Sequence, residues 1–166
     1  MMRAILLSAV LVLPLASLPA QETTRGKMRA AQAAIVVLPD AITWGPAPAA
    51  LPPGATASVL EGDPGKPGAF TMRLHMPNGY RIPPHFHPTM EHVTVISGAF
   101  KVGMGDRFDE GQMKSLPAGS FGALPPKMHH YAMANGETVL QLHGIGPWRI
   151  TYLDKADDPR TKTAPR

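Results

Sequence analysis

The sequence predicts an all-β domain, built as a sandwich or a closed barrel, and three observations predict it. Short apolar runs recur at close intervals from Thr56 onward. The 19 prolines and 16 glycines fall between those runs as punctuation and form no repetitive tract. No stretch after residue 40 holds a helical period for three turns. The 166 residues leave room for one domain, and the absence of cysteine excludes disulfide scaffolds, thiolate metal sites and cysteine nucleophiles.

Four segments are expected along the chain. Residues 1–20 form a signal peptide: Arg3 is the early charge, Ala4 to Leu18 carry none, and Ala20 is a small residue suited to cleavage before Gln21. The apolar run is too short for a membrane span and contains Pro14, so the mature chain is expected to be free of the membrane and periplasmic or secreted. Residues 21–55 form an N-terminal extension; its proline-rich part, from Trp44 to Gly54, cannot be a central strand and is expected to cover the domain or a partner. Residues 56–153 form the β-domain and 154–166 a solvated tail. The net charge of +4 comes from scattered basic residues, and those near Arg160 sit beside Asp154, Asp157 and Asp158, so no nucleic-acid surface is indicated.

Strands are expected at residues 56–61, 69–76, 81–87, 91–97, 99–104, 121–124, 130–134, 138–143 and 149–153. Asn135-Gly136 has the composition of a two-residue hairpin turn. Such a turn sets Ala132 opposite Val139, His130 opposite Gln141 and Met128 opposite His143, with opposed side chains sharing a face. A second turn at Pro77-Asn78-Gly79-Tyr80 follows a strand whose Phe70, Met72, Leu74 and Met76 alternate with Thr71, Arg73 and His75. The apolar set is expected to face inward.

His85-Phe86-His87 places two imidazoles on one face of a strand, close enough to share an ion. Glu91 follows beyond a Pro88-Thr89-Met90 turn and shares its inward parity with Val93 and Val95. His130 is a candidate fourth ligand from a neighbouring strand, with His129 as its rival; strand parity allows only one of them to face inward. A nitrogen-rich set with one carboxylate suits Fe, Mn, Co, Ni, Cu or Zn better than Ca or Mg.

These residues carry a resemblance. Gly79, His85-x-His87, Glu91 and Gly98 stand at every signature spacing of the first motif of the cupin superfamily. Gly119, Pro125 and His130 match the second motif, with Lys127 where that motif has Gly and Asn135 one position late. The run from Gly144 to Trp148, with Tyr152 and the segment Asp157 to Arg160, is similar to small exported bacterial cupins without an assigned function. The resemblance implies a cupin-type double-stranded β-helix, the jelly-roll barrel, with one divalent transition-metal ion held by His85, His87, Glu91 and His130. It also implies chemistry of the kind such centres support: dioxygenation, isomerisation, decarboxylation or hydrolysis.

Alternation puts Phe70, Met72, Val93, Val95, Phe100, Val102, Met104, Ala132 and Val139 around the ion, an apolar pocket for a small-molecule ligand. Gln141 and His143 are the polar side chains expected beside it, as groups that orient a substrate or carry a proton. The methionines form no cluster with the histidines and are core filler. His75 and His92 are assigned outward. Two functions are expected from this: a metal-dependent oxygenase or lyase acting on a small, partly apolar molecule, or a non-catalytic binding protein for a metal ion or metabolite. Ile96, Tyr131, Met133, Leu140 and Leu142 are assigned to the outer face, too apolar for a solvated sheet, which predicts cover by the proline-rich segment or by a second subunit, and a homodimer is expected.

Overall fold

The computed structural model describes residues 33–162, so the expected signal peptide lies outside the described residues. Nine strands form among the described residues: β1 (Gly45–Pro46), β2 (Thr56–Glu61), β3 (Gly68–Met76), β4 (Arg81–Phe86), β5 (Glu91–Met104), β6 (Lys114–Pro117), β7 (Phe121–Leu124), β8 (His130–Gly146) and β9 (Thr151–Tyr152). All pair antiparallel in one curled sheet, in which β8 has β3, β4 and β5 as neighbours and β5 also pairs with β6 and β7. The helical elements among the described residues are 3-10 turns of three residues each. This is the all-β jelly-roll barrel expected from the punctuated strand pattern.

The two long strands organise the barrel. Residues 91–97 of β5 pair with 139–144 of β8, and residues 99–104 pair with 130–135, with register shifts between the two blocks. The first block of β8 residues is flanked by β3 and the second by β4. Both strands therefore turn a corner together. At that corner Gly98 and Gly136 take positive φ, +75° and +80°. A Cβ on Gly98 would stand 2.2 Å from the Glu137 carbonyl oxygen, so only glycine permits the close approach. Thr138, with no exposed surface, donates its hydroxyl to Ala99 O at 2.9 Å and Gly136 O at 3.1 Å across the bend.

The expected hairpin at Asn135-Gly136 is thus not formed; the chain passes straight through it within β8. The physical signal, a glycine needing positive φ, is present, but it serves a corner and not a reversal. The continuity of β8 reverses the parity beyond Gly136. In a continuous strand, residues an even number apart share a face, whereas opposed residues of a two-residue hairpin are an odd number apart. Every assignment beyond the turn inverts: Thr138, Leu140 and Leu142 face the core with His130 and Ala132, while Val139, Gln141 and His143 face the other way.

The core otherwise follows alternation. Phe70, Met72, Leu74 and Met76 of β3, Val93, Val95 and Phe100 of β5, and Leu140 and Leu142 of β8 are all buried. Each such side chain contributes roughly 1.5–3 kcal/mol by leaving water. Met104, assigned inward, is 55% exposed at the end of β5. Of the apolar set assigned outward, Tyr131 and Met133 are buried within the chain. Phe108 packs on the Tyr131 ring at 5.1 Å, and the Tyr131 hydroxyl donates to Asp109 O at 3.1 Å. Only Ile96 of the five is exposed, so this argument for a second subunit falls away.

The proline-rich segment adds the short edge strand β1 against β2 and then runs over the barrel mouth. Its Leu51 is buried in the core cluster, and two tyrosine hydroxyls hold its backbone: Tyr80 donates to Pro52 O, and Tyr152 to Ala50 O at 2.7 Å.

Candidate metal centre

Three strand ends deliver the candidate ligands. His85 lies at the end of β4 and His87 just past it, Glu91 opens β5 and His130 opens β8. His85 and His130 are register partners, which brings two distant parts of the chain to one place. All four side chains are buried, with relative exposures of 3% to 7%. One ligand atom from each of His85, His87 and His130 lies within 4.8 Å of the others. Glu91 Oε2 stands 3.3 Å from His87 Nε2 and 3.5 Å from His130 Nε2.

The backbone fixes how each imidazole faces. His85 Nδ1 donates to Pro83 O at 2.7 Å, His130 Nδ1 to Met128 O at 2.9 Å and His87 Nδ1 to Arg149 O at 2.7 Å. A carbonyl only accepts, so in each ring Nδ1 carries a proton and Nε2 is the atom left to face the cluster. Such an orienting contact is the partner that metal-bound histidines ordinarily have. His87 Nε2 is fully buried without a well-aligned hydrogen bond. An orphaned buried donor atom facing two further imidazoles and a carboxylate fits a cation at their centre.

The electrostatics agree. Burial, followed by the neighbouring charges of His130 and His87, pushes His85 down to about 3 and keeps it neutral. For His87 burial works downward, but the charge and close approach of Glu91 and the hydrogen bond to Arg149 O outweigh it, and the net direction is upward. Burial likewise opposes the Glu91 charge; the His87 charge and close contacts with both imidazoles prevail and hold its carboxyl well below the usual range.

His130 and not His129 joins the cluster. His129 is half exposed, donates Nδ1 to Asp106 Oδ1 at 2.7 Å and stacks on Phe86. Lys127 stands where the motif has glycine, yet takes φ +62°, and its N–H donates to His87 O at 2.8 Å. The turn before His130 therefore keeps the left-handed backbone without the residue that adopts it freely.

Gln141 and His143 are not brought to the site. Gln141 accepts from Arg73 Nε at 3.2 Å, and His143 stacks on His92 at 4.8 Å, on the opposite face of the sheet. The inverted parity accounts for both corrections. In their place the structure supplies Trp148. Its indole Nε1 donates to Glu91 Oε1 at 3.3 Å, and its ring stacks on His87 at 5.2 Å. Trp148 is part of the Gly144 to Trp148 run that carried the narrower resemblance, but no spacing rule places it beside Glu91. The cavity over the cluster measures about 30 Å³, and apart from the four candidate ligands its walls are apolar, among them Leu51, Phe100, Leu124, Leu140, Leu142 and Ile150.

Comparison with solved structures finds the same fold widely. A RmlC-like cupin from Shewanella frigidimarina NCIMB 400 aligns with a TM-score of 0.52 at 18% identity, covering 69% of this chain and 92% of that one. The polyketide cyclase RemF from Streptomyces resistomycificus gives 0.57 at 18% identity, covering 77% and 91%. A candidate acetylacetone dioxygenase from Methylibium petroleiphilum PM1 gives 0.56 at 20% identity, covering 75% and 83%. At such identities the likeness is one of fold. No curated protein matches the chain. The family model described as the ChrR cupin-like domain matches residues 32–149, a span that includes the barrel strands up to β8 and all four candidate ligands, and the chain accordingly belongs to that family of the cupin superfamily.

Proposed function

We propose that this protein is an exported metal-binding cupin in which His85, His87, His130 and Glu91 hold one divalent transition-metal ion. We propose further that it acts as a metal-dependent oxygenase or lyase on a small, partly apolar molecule. The observation that carries this is the convergence of three imidazoles, each donating its Nδ1–H to a backbone carbonyl, upon one buried carboxylate. The ion would supply Lewis-acid or redox chemistry, according to its identity. The chain's own residues supply the rest. The three imidazoles turn Nε2 toward a common point, Glu91 brings the negative charge, and the Trp148 indole occupies one carboxylate oxygen while Oε2 faces the imidazoles. The apolar walls exclude water, which strengthens every charge interaction inside.

Element analysis of protein isolated from its native compartment tests the first claim, with about one equivalent of a single transition metal expected. Oxygen uptake with phenolic or diketone compounds, compared with a His85→Ala control, tests the second. The second reading, a non-catalytic binding protein for a metal ion or metabolite, is favoured by one feature: the cavity wall offers no titratable group beyond the four candidate ligands. Tight metal binding with no turnover of any small molecule supports that reading.

A further inference from the structure

Leu51 occupies a position that the ligand set does not explain. It is 4% exposed and forms part of the wall of the cavity over the histidines. It also lines a second, outer groove of about 390 Å³, built by the proline-rich segment with Pro159 and Lys162. One side chain is therefore shared between the two spaces. The inner space, about 30 Å³, is too small for an organic molecule, because ligand pockets run to roughly 300–1,000 Å³.

The segment carrying Leu51 is tied down lightly. Pro46, Pro48, Pro52 and Pro53 have no backbone N–H to give. Between β1 and β2 the contacts that hold its backbone to the barrel are the hydroxyls of Tyr80 on Pro52 O and Tyr152 on Ala50 O; the Leu51 N–H turns back on Pro48 O at 2.8 Å. Displacing this strap breaks no rung of a sheet ladder, and backbone with so few bonds opens at lower cost than the strands beneath it.

We infer that Leu51 is the size-determining residue of this site, the plug whose withdrawal on the proline-rich strap joins the outer groove to the histidine cluster and admits a small apolar molecule. The inference rests on the proposed use of that cluster, so its test is read first without metal. In metal-free protein, diethyl pyrocarbonate, too large for the closed cavity, is reacted for graded times. Modification of His85, His87 and His130 is then followed by peptide mass spectrometry, with half-exposed His129 as internal standard. Leu51→Ala is expected to speed modification of the buried three at least tenfold relative to His129, and Leu51→Met to leave the wild-type rates. The double variant Tyr80→Phe, Tyr152→Phe keeps Leu51 and frees the strap; it is expected to give at least a threefold increase and carries the test if Leu51→Ala does not fold. Equal rates in wild type and in the folded variants overturn the inference.

The second arm uses cobalt. If cobalt binds, entry of added imidazole, followed in the visible spectrum, is expected to be faster in Leu51→Ala than in wild type, and unchanged entry counts against the plug. Faster modification in the variants, together with a wild-type protein that takes up no cobalt, defeats the metal reading while supporting the plug.

Discussion

His85, His87 and His130 differ from His92 and His143 in one respect that matters more than their number. The first three each spend Nδ1 on a main-chain carbonyl and turn Nε2 toward a common point. The other two, register partners across β5 and β8, lie parallel with ring planes 9° apart, and their Nδ1 atoms are buried without a partner. Both groups are dense in imidazole. Only the first has rings held by the main chain with convergent Nε2 atoms, so a metal centre is a property of what the backbone does to the rings and not of how many rings are near one another.

The largest expected effect separates these groups outright. His87→Ala and Glu91→Ala should each abolish stoichiometric metal binding in element analysis, while His92→Ala and His143→Ala keep the wild-type content. Loss of metal on removing the outer pair would erase the distinction.

Next comes the corner that lets β5 and β8 reach the inner cluster. Gly98→Ala combines a positive φ with a Cβ 2.2 Å from a carbonyl oxygen and should cost about 3 kcal/mol in chemical denaturation. Gly119→Ala, also at positive φ but with open space around its Cβ, should cost only about 1 kcal/mol. Comparable losses would show that backbone conformation alone sets the cost.

Trp148→Phe keeps the stacking on His87 and deletes the N–H that reaches Glu91. A roughly tenfold weaker metal affinity is expected by competition with a chelating dye, at unchanged stoichiometry. An unchanged affinity would mean that the indole merely fills space. The smallest effect belongs to Lys127. Lys127→Gly relieves a left-handed residue in the turn before His130 and should raise stability by about 0.5 kcal/mol, measured as a shift of the denaturation midpoint.

Much of this molecule was legible in its residues. The strands at residues 56–61 and 121–124 coincide with β2 and β7, and the His85-x-His87 spacing with Glu91 points to the cluster the structure assembles. Two failures came from turn chemistry. Gly98 and Asn135-Gly136 have the composition of strand breaks, although each lies within a continuous strand bending between two parts of the barrel. Positive φ announces that the chain must bend; it does not say whether the chain returns on itself, because that depends on partners distant in sequence. This one reason puts Gln141 and His143 on the wrong face. The places of Trp148 and Leu51 are illegible for another: each reaches the site from an irregular segment, where no periodicity relates a side chain to a face.

The three carbonyls that steer the imidazoles belong to Pro83, Met128 and Arg149, and none of them depends on what its own side chain is made of. The aim of the donors is thus insulated from the identity of the surrounding walls. Residues such as Leu124, Leu140 or Ile150 are open to exchange for larger, smaller or polar ones while the nitrogen axes stay where they are. A scaffold of this construction lends itself to reshaping for new occupants by changing its lining alone.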